Sequence, residues 1–178
     1  QDIRKIPEKE VRKHISYVPQ VAWLFSGTIE DNLNFGNSKA TKLELNKSLK
    51  IAQADFVNDL EGGVKARVAQ GGKNFSGGQK QRLAIARALI KKADLYVFDD
   101  SFSALDFKTD SKLRNAINEN IKDASILVIA QRISTILNAN QIIVLNDGEI
   151  VGIGTHDELM KNCTIYQEIA NSQLKGGK

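Results

Sequence analysis

Apolar positions along the chain change spacing repeatedly, and the changes mark out alternating strands and helices. After a charged opening, Gln1 to Lys13, that reads as a loop with a short helical turn, His14-Ile15-Ser16-Tyr17-Val18 is a β-rich run. Pro19 cannot donate to a ladder, so the strand stops there and leaves Gln20 at its end. Thr41-Lys42-Leu43-Glu44 has the form of a capping box. A helix therefore begins there and runs to about Phe56, with Leu45, Leu49, Ala52 and Phe56 on one face. A second helix, from Lys80 to about Lys92, turns Leu83, Ala86, Leu89 and Ile90 toward a core and Arg82, Arg87, Lys91 and Lys92 outward. Leu95–Phe98 and Ile126–Ala130 are apolar without alternation, the pattern of buried parallel strands. Between them a helix from about Lys108 spaces Leu113, Ile117 and Ile121 four apart. Asp147-Gly148, between two apolar runs, predicts a hairpin of Gln141–Asn146 with Glu149–Ile153. Helices from Asp157 and about Ile165 follow, and a tail from Lys175 that should fray. This succession predicts an α/β fold with a largely parallel sheet.

Three stretches do not fit a purely structural role so easily. Val21–Gly36 carries Trp23, Leu24, Phe25, Ile29, Leu33 and Phe35, many large apolar residues for a connection. Those side chains either fill a core or form an exposed docking surface. Asp99 and Asp100 close an apolar strand, where two adjacent carboxylates are costly to bury without a partner. A metal-phosphate site accounts for them better than a solvated loop does. In Asn74-Phe75-Ser76-Gly77-Gly78-Gln79-Lys80-Gln81-Arg82 a small-residue turn enters a helix. Ser76 can cap that helix, and Gly77 and Gly78 let a ligand approach the backbone. The result is either a plain capped turn or an anion site, most naturally for phosphate, at the positive end of the helix dipole.

Composition narrows the function classes. The chain has 178 residues, enough for one domain with a sizeable core, and is 42% hydrophobic and 26% charged. No apolar run approaches the roughly 20 residues of a membrane-spanning helix. The net charge of +4 is spread without a dense basic stripe, which argues against nucleic acid as a partner. One cysteine and two distant histidines make neither a disulfide framework nor a metal cluster, and fit a reducing, cytosolic setting.

Phe75-Ser76-Gly77-Gly78-Gln79, the strand ending in Asp99-Asp100, and Ser103-Ala104-Leu105-Asp106 occur in the order and spacing of the ATP-binding cassette (ABC) ATPases, which this sequence resembles over almost its whole length. Val18-Pro19-Gln20 resembles that family's glutamine loop, and Ala130-Gln131-Arg132 falls where its switch histidine belongs. Leu145–Glu149 and Gly154–Leu159 match its C-terminal pattern, and Phe25–Ile29 with Asp31-Asn32 is typical of the exporter branch.

The resemblance implies a parallel-sheet RecA-like ATPase core with an inserted α-helical subdomain. The core would take 1–36 and 93–154, the helical subdomain about 37–92, and C-terminal helices 155–178. It implies ATP and Mg²⁺ as ligands. Asp99 would hold Mg²⁺ through water, Gln20 would sense metal and attacking water, and Asp106 would lie at a dimer seam. Ser76, Gly77, Gly78 and Gln79 would cap the γ-phosphate of ATP held by a second ABC ATP-binding domain, in a head-to-tail dimer. The 21–35 surface would receive the transmembrane domains, at the cytoplasmic face of the cell membrane.

Departures from the family pattern refine this expectation. Asp100 stands in place of the catalytic glutamate, one methylene short, and Gln131 in place of the switch histidine, whose charge an amide cannot carry. Ala69-Gln70-Gly71-Gly72 replaces an acidic pattern before the signature. No G-x-x-x-x-G-K-[ST] string occurs, so the sequence reads as N-terminally truncated, beginning downstream of the phosphate loop, and inactive in isolation. The expected role is the degenerate-site subunit of a heterodimeric exporter, paired with a non-identical domain. A soluble ABC ATPase of DNA repair or translation would carry coiled-coil insertions or basic arms. A non-hydrolysing regulatory module would be told apart by whether its partner has an intact glutamate.

Overall fold

Three parallel strands organise the first part of the chain in a computed structural model that describes residues 2–175. Contacts divide the chain into two compact units, 1–129 and 130–178.

In the first unit, α1 (Glu8–His14) leads into β1 (Ile15–Val18). The hairpin-like pair β2 (Gly27–Thr28) and β3 (Arg67–Val68) brackets α2 (Ile29–Asn34) and α3 (Lys42–Ile51). Then come α4 (Gly77–Ile90), β4 (Leu95–Asp99), α5 (Phe107–Asn120) and β5 (Ser125–Ile129). The sheet order is β1-β4-β5, with Val18 opposite Phe98 and Phe98 opposite Val128. Ser16, Val18, Tyr96 and Phe98 are buried, and they share a core with α4, where Leu83, Ala84, Ile85 and Ala86 are all inaccessible. A helix apolar on nearly every side belongs inside, and α4 is the central one.

The expectation of strands buried on both faces is corrected. Alternate residues of β4 and β5 are only half-buried or exposed, Leu127 and Ile129 among the latter. The parallel register puts Tyr17, Val97 and Leu127 on this open face, and Asp99 follows Val97 on it.

Four other expectations are adjusted. The α3 helix stops at Ile51 rather than near Phe56 because Gln53 takes a left-handed φ of 54°, and residues 55–59 form a 3-10 turn instead. The Val21–Gly36 stretch contains a helix that its composition hid, opened by a full Thr28–Asp31 capping box. Its apolar residues divide: Leu24, Ile29 and Leu33 are wholly buried, while Trp23, Phe25 and Phe35 stay exposed. Arg82 and Arg87 were expected to point outward, yet both are half-buried on α4. Arg82 donates to the Gln53 carbonyl at 2.7 Å and stacks over Phe56; Arg87 donates to the Trp23 carbonyl at 3.0 Å and lies over Phe25.

The second unit holds α6 (Ile133–Ile136), the antiparallel pair β6 (Ile142–Asn146) and β7 (Glu149–Gly154), α7 (His156–Asn162) and α8 (Thr164–Lys175). The predicted hairpin forms, with Asp147 and Gly148 both at positive φ as a two-residue primed turn requires. Ile142, Val144, Leu159, Cys163 and Tyr166 make its core. The expected fraying beyond Lys175 falls on residues outside those described. Among the described residues, no helix is long and apolar enough to cross a membrane.

Candidate functional site

Two groups of site residues assemble within the first unit. The first lies at the C-terminal ends of β1 and β4, where ligands bind in open α/β sheets. Pro19 ends β1 and puts Gln20 level with the end of β4. There the Gln20 amide donates to Asp100 Oδ2 at 3.4 Å. Ser101, wholly buried, donates to the carbonyls of Val18 and Asp99 and so ties the two strand ends together. Asp100 adopts a left-handed φ of 42°, which aspartate tolerates better than most residues. Its N–H donates to the Ile129 carbonyl at 2.8 Å, and its carbonyl accepts from the Ser103 hydroxyl at 2.8 Å. The strand thus turns sharply between the two aspartates and sends their side chains apart.

Asp99 faces the open side of the sheet, where the Tyr17 hydroxyl donates to its Oδ2 at 2.8 Å. That bond, followed by desolvation and the carboxylate's charge, pushes the Tyr17 phenol above its ordinary pKa. Tyr17 was not foreseen as a site residue. Its signal was the alternation of β1: once Val18 is assigned to the core, Tyr17 must share the face from which Asp99 projects.

The second group surrounds the Gly-rich turn. Ser76 caps α4 reciprocally with Gln79: the Ser76 hydroxyl accepts from the Gln79 N–H at 3.3 Å, and the Gln79 side chain accepts from the Ser76 N–H at 2.9 Å. The first-turn N–H groups of Gly77 and Gly78 have no acceptor within the helix. A side chain at Gly77 would meet nothing within 4 Å, while one at Gly78 would touch the Ala104 carbonyl at 3.4 Å. That contact brings the turn against Ser103–Asp106. Asp106 caps α5, and bonds from Thr109 hold its carboxyl below the usual range. Gln131 belongs to the second unit, where its carbonyl accepts from the Gln173 amide at 2.6 Å.

Asp99 and the Gln20 amide supply hard oxygen donors suited to Mg²⁺. Among the described residues, no group of three or more His, Cys, Asp or Glu side chains converges on a metal position. A sparse set of this kind fits an ion that keeps several waters and takes its other ligands from phosphate. Beside the Gly-rich turn, an anionic oxygen would meet free N–H groups and the positive end of a 14-residue helix.

Residues 1–103 match the family model described as ABC transporter. An uncharacterized ABC transporter ATP-binding protein of Mycobacterium tuberculosis is 48% identical over 175 residues, 97% of this chain and 30% of that protein. A Rickettsia typhi protein named as an export ATP-binding/permease protein is 45% identical over 98% of this chain and 30% of its own length. Among solved structures, a bacterial Atm1-family ABC exporter with ATP bound superposes with a TM-score of 0.94 at 34% identity, covering 97% of this chain and 31% of that one. The chain therefore spans about 30% of the length of the curated relatives it matches.

Proposed function

This chain belongs to the ABC transporter family, and from that premise we propose that it is part of the ATP-binding unit of a membrane exporter, hydrolysing ATP in the assembled protein. One observation carries the reading: Gln20 meets Asp100, the residue after the strand-ending Asp99, in the same unit as a capped, Gly-rich helix start.

In this proposal Asp99 and Gln20 hold Mg²⁺, which when bound neutralises phosphate charge. Asp100 orients the attacking water, and Gln131 donates to the γ-phosphate. Ser76, Gly77, Gly78 and Gln79 present N–H and hydroxyl groups to ATP across an interface with a second ABC ATP-binding domain, and Asp106 lies at that seam. The helical subdomain, about 37–92, carries these signature residues to the interface, on a core of 1–36 and 93–154 with C-terminal helices from 155. Because Asp100 is short and Gln131 cannot carry a charge, the partner is a non-identical chain whose own site turns over faster.

The transmembrane domains dock on the 21–35 surface, at the cytoplasmic face of the membrane. Supporting this, Trp23 is 53% and Phe35 65% exposed, and Phe25 stacks on Phe35 with ring centres 4.5 Å apart. A cavity of about 190 Å³, lined by Tyr17, Phe35, Arg87 and Lys91 among others, adjoins them.

The test is ATP hydrolysis by the full-length protein with its partner. Asp99→Asn should reduce hydrolysis at this chain's site below detection. Asp100→Ala should reduce total turnover much less than loss of the partner's catalytic carboxylate does. Equal losses would overturn the asymmetry, and no ATP-dependent activity in the wild type would overturn the function.

A further inference from the structure

We propose that Tyr17 is a positioning residue for Asp99, fixing the carboxylate in the orientation that receives a divalent cation; this rests on the function proposed above.

Tyr17 stands opposite Val97 in the β1–β4 register, and Asp99 lies two residues further along β4 on the same, open face. Residues so placed on neighbouring strands are diagonal neighbours, within reach of an aromatic side chain. Here the reach is made, Oη to Oδ2 at 2.8 Å, the distance of a well-formed O–H···O bond. An ionised carboxylate only accepts, so the phenol must be the donor.

The bond answers a specific problem. Asp99 is the last residue of its strand, and the terminal torsion of an aspartate is broad. A carboxylate there would sample many orientations, and ion binding would have to freeze them. Tyrosine is a suitable clamp because it has few rotatable bonds and its backbone is held in a paired strand. With Oδ2 engaged, Oδ1 would be left as the acceptor through which Asp99 could help hold a cation.

The neighbouring carboxylate is served differently. Asp100 Oδ2 takes its bond from Gln20, three residues beyond Tyr17. β1 and the residues just after it therefore give each aspartate its own donor, close for Asp99 and long for Asp100. Partners of this outer kind commonly change metal affinity by about 10- to 100-fold when removed.

The test is Tyr17→Phe in the full-length protein, which keeps the ring and removes only the hydroxyl that donates to Asp99. Mn²⁺ is titrated by electron paramagnetic resonance in the presence of saturating ATP, and ATP binding is measured separately in EDTA. The half-saturating Mn²⁺ concentration should rise roughly tenfold, with ATP affinity in EDTA and the melting temperature unchanged. An unchanged Mn²⁺ titration overturns the inference. So does an equal loss of affinity in EDTA, which would make Tyr17 a general support of the nucleotide site. If wild type itself shows no nucleotide-dependent Mn²⁺ site, the proposed function fails as well; if wild type shows one and Tyr17→Phe matches it, only the role of Tyr17 fails.

Discussion

Gln20 and Asp100, 80 residues apart in the chain, meet at the ends of two adjacent parallel strands with the amide nitrogen 3.4 Å from the carboxylate. That distance is long for an N–H···O bond, so the contact orients Asp100 only loosely. One further methylene in the acid would extend the reach of its oxygens.

Asp100→Glu should therefore speed hydrolysis at this chain's own site. Misplacing a reacting group by about 1 Å can cost on the order of a hundredfold, which bounds the gain. The contact is only partly misplaced, so the expected gain is smaller, about tenfold. Single-turnover phosphate release from the assembled protein measures it, and a rate within twofold of wild type would show that reach is not limiting. The left-handed φ of Asp100 suits aspartate better than glutamate, so a small drop in melting temperature should accompany the substitution.

Substitution can separate the helix cap made by Ser76 from the role proposed for it at the partner's ATP. As a helix cap, its loss to alanine costs about 1 kcal/mol, whereas glycine costs only a few tenths. Ser76→Gly should leave stability close to wild type yet slow hydrolysis at the partner's site. Ser76→Arg should abolish that hydrolysis while ATP binding to this chain's own site survives. Photolabelling of each chain with an ATP analogue distinguishes the two sites, and selective loss of label from this chain would reverse the assignment.

The sequence made the elements legible wherever local chemistry was decisive. Thr41–Glu44 forms the capping box its spacing suggests, Ser76 caps its helix as expected, and Asp147-Gly148 makes its turn. Asp99 and Asp100 lie at a strand end, as the short apolar run with valine and aromatics before them favoured. What stayed hidden depends on tertiary placement. The early end of α3 reflects a left-handed Gln53 whose carbonyl is held by Arg82 from another helix. Arg87 looked like a surface cation, yet its backbone partner lies 64 residues away. Burial also lowers its pKa below the ordinary value. The division of residues 21–35 between core and surface could not be read from composition, since Leu33 and Phe35 are equally apolar. Tyr17 needed the parallel register before its position beside Asp99 had meaning.

Gly71→Ala should disturb the proposed membrane-domain surface from behind. Gly71 has a left-handed φ of 67°, and a methyl group there would lie 3.2 Å from two ring carbons of Trp23. The backbone strain alone is worth about 1–2 kcal/mol, and Trp23 must also shift to make room. The expected outcome is a lower melting temperature together with weaker stimulation of ATPase activity by transported substrate. A double variant with Trp23→Ala should recover part of the stability, because the clash is gone, but none of the stimulation.

The Glu44–Lys92 ion pair, 2.5 Å long, joins the first turn of α3 to the residues just after α4 and predicts an acid-sensitive fold. The Lys92 ammonium, then the Thr41 N–H and hydroxyl, lower the Glu44 carboxyl from 4.5 to about 2. Because the folded value is depressed, the pair's contribution is present above 4.5 and is lost as pH falls from there toward 2. Glu44→Gln should therefore flatten the melting temperature across that interval, and Lys92→Met should flatten it only in part, since the Thr41 bonds remain. Lys92 is raised by the same pair, so its contribution is present below its ordinary 10.5 and is lost as pH climbs beyond. Lys92 is solvent-exposed and Glu44 half-buried, so 1 M salt should shrink each effect in part. Calorimetric melting curves of wild type and the two variants, taken across the acid range at low and high salt, measure all of this. Parallel curves for wild type and Glu44→Gln would show that the pair does not set the acid limb.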